Sequence, residues 1–178
     1  WDRSLTCREL TTEETEYLVE QFAKAALVAR ESGFDGIEVH AVHEGYLLDQ
    51  FTMALFNQRT DKYGGSFGNR MRLPVELLER TKAVAGKDFP VMVRYGVKSY
   101  MKGFHKGILP GEDAVEIGRD IPEGLEVARI LEKAGYDAFN ADGGVYDSWY
   151  WAHPPMYMEE GCYLPLTKKL KELRRTHR

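Results

Sequence analysis

One pattern that occurs three times constrains this chain more than any other: an amphipathic helix, a glycine, then a short apolar run. Thr11 to Glu14 has the form of a capping box, Leu18, Phe22, Ala25, Ala26 and Ala29 follow at helical spacing, and Gly33 supplies the stop before FDGIEVH. The second copy begins at Asn69, passes Leu73, Leu77, Leu78, Thr81 and Val84 to Gly86, and leads into FPVMVRY. In the third, Asp120-Ile-Pro-Glu123 opens a helix carrying Leu125, Ala128 and Leu131, Gly135 closes it, and YDAFNA follows. Helices alternating with strands predict an α/β fold, because parallel neighbours can be joined only by a crossover. The spacing of about 50 residues suits such units and is loose support for a sequence repeat.

Periodicity alone leaves a barrel and a doubly wound sheet open. The placement of polar residues tilts the choice, since His40, Arg94 and Asn140 are each expected at a strand end, the face on which barrel sites are assembled. Open parallel sheets bind ligands there too, usually behind a glycine-rich phosphate turn, and no GxGxxG follows any of the three strands. Long loops come after the strands, each more than about 20 residues, and loops of that length on one face usually shape a site. The second, from Gly96 to Asp120, mixes aromatics, glycine and charge as a lid does. The third gathers Tyr146, Trp149, Tyr150, Trp151, His153 and Tyr157 within a short span. Such a concentration points to a flat apolar ligand, with an aromatic mini-core or subunit contact as the competing reading.

Bulk properties narrow the class. A 43% hydrophobic chain of 178 residues is long enough for one sizeable core, so residues 1–178 are read as one domain. With 24 Lys and Arg against 28 Asp and Glu, no positive surplus favours nucleic acid or an anionic membrane. No stretch approaches the roughly 20 apolar residues that span a bilayer. Cys7 and Cys162 stand far apart without CxxC spacing, which fits bystander thiols in a reducing, cytoplasmic setting.

The stretch from Gly33 to Arg70 is the most distinctive. After Ile37 and Val39 the apolar run ends in His40, His43 and Tyr46, titratable side chains that are costly beside a buried strand unless they have partners or chemistry. GFDGIEVHAVHEGYLLDQF, then NQRTDKYGGSFGNR, then PVMVR resembles the old yellow enzyme family of flavin-dependent ene-reductases. HAVHEGYLLDQF and YDSWYWAHPP are most similar to its 2-enoate reductase branch, related to 2,4-dienoyl-CoA reductase and steroid-reducing members.

The resemblance implies a (β/α)8 TIM barrel with FMN at the C-terminal strand ends and NADH as electron donor. Hydride goes to the β-carbon of an α,β-unsaturated carboxylate, thioester or enone, and a proton to the α-carbon. Negative charge then grows on the substrate oxygen, where placed donors favour the transition state. By the same resemblance His40 and His43 are the paired donors, Tyr46 the proton donor, and Arg94 the arginine facing the flavin ring. A phenol with an ordinary pKa of about 10 holds its proton at neutral pH and can act as a general acid. Tyr146, Trp149 and Tyr150 are the expected substrate-binding side chains. The commoner family pattern is His-x-x-His-Gly-Tyr, whereas this chain has Glu44 inserted; alignment from the left makes His43 the second donor, and alignment from Tyr46 makes it Glu44. His43 is the preferred reading.

Competing readings bound the expectation. His40 and His43 at i and i+3, leaving a strand, lack the helical i, i+4 spacing of a zinc site and an obvious third ligand, so no metal is expected. Asp61, Tyr63, Gly64, Gly65, Asn69 and Arg70 read as a scaffolding loop. A full barrel needs eight strands and about 250 residues, so the chain is expected to be a partial barrel, about strands 4–6 with their helices, of a longer parent. That parent would add FAD and a 4Fe-4S cluster and form a homo-oligomer. An inactive partial barrel and a non-redox barrel enzyme are the alternatives. A small unsaturated molecule is the expected partner, with neither nucleic acid nor membrane.

Overall fold

The computed structural model describes residues 7–43 and 46–175. In chain order its elements are α1 (Thr12–Glu31), β1 (Ile37–Ala41), α2 (Leu47–Thr52), α3 (Phe67–Arg70), α4 (Arg72–Ala85), β2 (Val91–Lys98), β3 (Met101–Gly103), β4 (Lys106–Gly107), α5 (Ile121–Ala134), β5 (Ala138–Gly143), a 3-10 turn (Tyr146–Ser148), α6 (Trp149–Ala152) and α7 (Leu164–Arg175). β1, β2 and β5 form one parallel sheet in the order β1-β2-β5. Helices link them, as the alternating pattern predicts.

The punctuation expected from the sequence is present. Thr11 and Glu14 make the reciprocal capping box of α1, and Asp120 caps α5 through the Glu123 amide at 2.9 Å. Gly33, Gly86 and Gly135 have φ of 87°, 100° and 110°, left-handed values that a side chain disfavours. One sheet face is covered by the helices. Val39, Val91, Val93, Tyr95 and Val97 point into it and meet Leu73, Leu77, Leu78, Val127 and Leu131 in one apolar cluster. α5 comes so close to β2 that a Cβ on Gly124 would lie 2.1 Å from the Val97 carbonyl oxygen.

Three expectations need correction. α1 buries Thr15, Val19, Ala23 and Ala26 rather than the Leu18–Phe22–Ala25 row, and Phe22 and Ala25 are exposed. The stripe of smaller side chains faces inward because α1 packs closely on α4. Arg94 and Asn140 do not end their strands: β2 continues to Lys98 and β5 to Gly143, since Tyr95 and Val97 go on supplying buried apolar contacts. The Gly96–Asp120 loop is no free lid. It contains the antiparallel β3–β4 pair and is fastened to the segment after β5, where Ser148 Oγ donates to the Ser99 carbonyl at 2.6 Å and Trp151 Nε1 to the Ile108 carbonyl at 2.6 Å.

The Asn57–Arg70 loop is a scaffold, as read. Asn57 Nδ2 donates to the Phe51 and Tyr63 carbonyls at 2.6 and 2.8 Å, Asn69 Nδ2 to the Gly64 carbonyl at 3.0 Å, and Arg70 Nε to the Thr52 carbonyl at 3.0 Å. Buried Arg119 fastens α2 to β2, reaching the Gly96 carbonyl at 2.8 Å, Thr52 Oγ1 at 2.7 Å and Asp49 Oδ1 at 3.2 Å.

Candidate functional site

The face of the sheet opposite the helices carries the polar row. His40 pairs in register with Arg94, and Arg94 with Asn140, so residues from three separate segments stand side by side. Alternation along each strand sends Val39, Val93 and Phe139 to the helix side and this row to the other. Asn140 Nδ2 donates to Glu38 Oε1 at 3.2 Å on the same face.

Beyond β1 the chain turns through His43, whose φ of 70° is uncommon for any residue but glycine. The turn buries its imidazole beneath the others, leaving His40 half-buried and Tyr46 exposed. Glu44, the alternative second donor, lies outside the described residues. The His40 and Tyr46 rings meet edge to face at 4.3 Å between centroids. From beyond β5, Tyr146 donates its hydroxyl hydrogen to Tyr46 Oη at 3.2 Å, and the two rings stack 6.2 Å apart. Trp149 lies 5.8 Å from Tyr146, and His153 stacks on Trp149 at 3.9 Å and faces His43 at 6.2 Å. Tyr150 does not join this wall; its ring faces Tyr157 at 6.3 Å.

Sequence reasoning missed Asp142. It is buried, two residues beyond Asn140 on the same face of β5, and a period-two reading of that strand was the available signal. Arg94 Nε donates to its Oδ2 at 2.8 Å and Nη2 donates to the same oxygen. The Gly143 amide donates to Oδ1 at 2.8 Å, and His43 Nε2 faces Oδ2 at 3.5 Å, an ion-pair distance without a formed hydrogen bond. Burial pushes the Asp142 carboxyl up, but His43, the Gly143 amide and Arg94 outweigh it and hold the group below the usual carboxylate range. Burial, then the Arg94 cation and His43, hold the His40 imidazole below its ordinary value, against the pull of Asp142 and Asp49. The hydrogen bond to Tyr46, followed by burial, raises the Tyr146 phenol.

The rim is fixed in place. His105 donates its backbone N–H to Asp147 Oδ2 at 2.8 Å and sets Nδ1 3.0 Å from Oδ1, while the Tyr100 and Trp151 rings stack at 4.0 Å. Among the described residues no group of three or more His, Cys, Asp and Glu side chains is arranged to hold a metal ion, and no helix is long and apolar enough to cross a membrane.

The arrangement combines donors, phenols and a flat aromatic wall toward the C-terminal end of a parallel sheet. Residues 2–142 match the NADH:flavin oxidoreductase / NADH oxidase family. Cinnamate reductase of Clostridium sporogenes is 57% identical over 95% of this chain and 25% of its own length. The NADH oxidase of Thermoanaerobacter brockii is 36% identical over 93% of this chain and 23% of its own. The chain thus spans about a quarter of the length of these curated relatives. Among solved structures, 2-naphthoyl-CoA reductase in complex with 2-naphthoyl-CoA superposes with a TM-score of 0.79 at 30% identity, covering 93% of this chain and 23% of that one. Histamine dehydrogenase from Rhizobium sp. 4-9 gives 0.75 at 26% identity, with coverage of 94% and 22%. The partial barrel expected from the sequence fits these neighbours, and the match over residues 2–142 makes the chain a member of the NADH:flavin oxidoreductase / NADH oxidase family.

Proposed function

We propose that this chain carries the substrate face of a flavin-dependent ene-reductase acting on an aryl 2-enoate. One observation carries the reading: Tyr146 donates to Tyr46 at 3.2 Å while the His40 ring lies 4.3 Å from Tyr46, so an acid, its proton source and a donor converge on one spot. The name of the cinnamate-reducing relative, at 57% identity, favours a carboxylate conjugated to an alkene and an aromatic ring. The wall of Tyr46, Tyr146, Trp149 and His153 suits a planar group of that kind.

The residues fit the ring of FMN. Among the described residues Arg94 Nη1 has no acceptor, and the guanidinium side chain is 35% exposed on the open face. FMN, when bound, supplies the hydride delivered to the β-carbon, with electrons drawn from NADH. Arg94 would hold the edge of the ring. His40, from the open face, donates to the substrate oxygen as its negative charge grows. By the family resemblance His43 is the second donor of the pair; its buried Nε2 lies 3.5 Å from Asp142 Oδ2. Tyr46 gives its proton to the α-carbon and regains one along the hydrogen bond from Tyr146, whose own proton returns from solvent. Residues 1–178 then form part of one FMN-binding barrel domain, and the free thiols Cys7 and Cys162 suit a cytoplasmic setting. FAD, an iron–sulfur cluster and homo-oligomer formation are readings for a longer polypeptide.

The test has two stages. Titrating this chain into FMN should quench flavin fluorescence saturably. No binding here, with binding by a polypeptide extended at both ends, would identify this stretch as a partial barrel inactive by itself. In the FMN-loaded protein, Tyr46→Phe should slow cinnamate reduction about 100-fold or more while reduction of the flavin by NADH is nearly unchanged. Equal losses in both half-reactions would remove Tyr46 from the acid role.

A further inference from the structure

We propose that Asp142 is a positioning residue that offsets the Arg94 cation, so that the site presents less positive charge to its ligands than the guanidinium alone would. The geometry is specific. One carboxylate oxygen, Oδ2, takes both Arg94 Nε and Nη2 and stands 3.5 Å from His43 Nε2, while the other oxygen is fixed by the Gly143 amide. Asp142 and His43 are both buried, and Arg94 comes from the neighbouring strand 48 residues away. A buried ion keeps its charge only when paired and hydrogen-bonded, and here one carboxylate pairs the cation and lies against the imidazole.

The neighbours register that charge. His40 faces Arg94, His43, Asp142 and Asp49, and the two carboxylates pull it opposite to the cation. Tyr163, on the far side, has its phenol raised by burial and next by the Asp142 charge. The inference rests on the flavin-facing reading of Arg94 for its consequence, and on these contacts alone for its electrostatics. A paired arginine stabilises negative charge on a bound ring less than a free one. Asp142 therefore keeps the flavin a stronger reductant, which suits an alkene activated only by a carboxylate.

Two variants separate charge from shape. Asp142→Asn keeps the shape and removes the charge; Asp142→Glu does the reverse. In NMR titrations of the chain without flavin, Asp142→Asn should lower the His40 midpoint by about one unit further. Asp142→Glu should leave it close to the parent value. The double variant Arg94→Gln with Asp142→Asn, which leaves no buried ion unpaired, should return the midpoint to near the parent value. In the FMN-loaded protein, Asp142→Asn should favour the reduced flavin by about tenfold, a rise of about 30 mV for a two-electron couple. Unchanged His40 titration in Asp142→Asn, equal shifts in the Asn and Glu variants, or a double variant as displaced as Asp142→Asn would overturn the proposal. Failure of the parent to bind FMN removes the flavin reading instead, and the His40 titration still decides the charge.

Discussion

The Asn57–Arg70 loop and the strand-end site are both dense in polar and aromatic side chains, yet they differ in what those side chains lack. In the loop, Asn57, Asp61, Tyr63, Asn69 and Arg70 are all engaged: Tyr63 is fully buried with its hydroxyl donating to Glu76 at 2.7 Å, and Asp61 accepts from Arg59, Thr12 and the Tyr63 amide. At the site, among the described residues, Arg94 Nη1 is left without an acceptor on the open face, His43 Nε2 is buried beneath it without a formed hydrogen bond, and Trp149 is 52% exposed. A satisfied cluster supports the fold, whereas donors left over on an open face are disposed toward a ligand. Polar density alone does not separate the two.

Truncating an aromatic ring on each side is the strongest way to break this comparison. Tyr63→Ala should cost about 3–4 kcal/mol in urea unfolding, because it empties a buried volume and removes the hydroxyl that donates to Glu76. Trp149→Ala, at an exposed rim, should cost under about 1 kcal/mol. Comparable losses would mean that the aromatic wall is a core and not a ligand surface. Next in size, Asn57→Ala should cost about 2 kcal/mol by leaving the Phe51 and Tyr63 carbonyls and the Arg59 amide without their partner. A change near zero in the same unfolding measurement would show that the loop is held by something else.

The smallest effect is electrostatic. Arg59, working against burial and aided by Thr12 and the Tyr63 amide, holds the Asp61 carboxyl well below the usual carboxylate range. A carboxyl depressed in the folded state stabilises fully above its unfolded value of about 4, and that gain is lost as pH falls through the folded value. Asp61→Asn should therefore lower stability by under about 1 kcal/mol at pH 7 and narrow the gap to the parent progressively below pH of about 4. A constant gap across that range would assign the loss to the hydrogen bonds Asp61 accepts and not to its charge.

Much of the fold was legible because its signals are local. The Thr11–Glu14 box, the Asp120 cap and the glycines at 33, 86 and 135 each act within a few residues, and each sits where expected. The buried face of α1 was misread because Leu18 and Phe22 are the larger apolar side chains, while close packing on α4 selected Val19, Ala23 and Ala26. His40, Tyr46 and Tyr146 were identifiable from motif and composition, and the structure brings them together. Asp142 was not: period-two alternation puts it on the face of Asn140, but its pairing with Arg94 depends on a diagonal reach between strands that alternation alone does not record. Tyr150 shared the composition signal of its neighbours, but the turn of α6 carries its ring to Tyr157.

The parallel register has a consequence for the order in which the molecule comes together. Parallel neighbours cannot zip from a tight turn, so aligning His40 with Arg94 and Arg94 with Asn140 means closing two chain segments of about 50 residues, each carrying a helix. Contacts so distant along the chain form slowly compared with the capped helices that separate them. The row of side chains on the open face is thus a late product of folding. A chain stalled with its helices formed would show most of its far-ultraviolet signal and none of its chemistry.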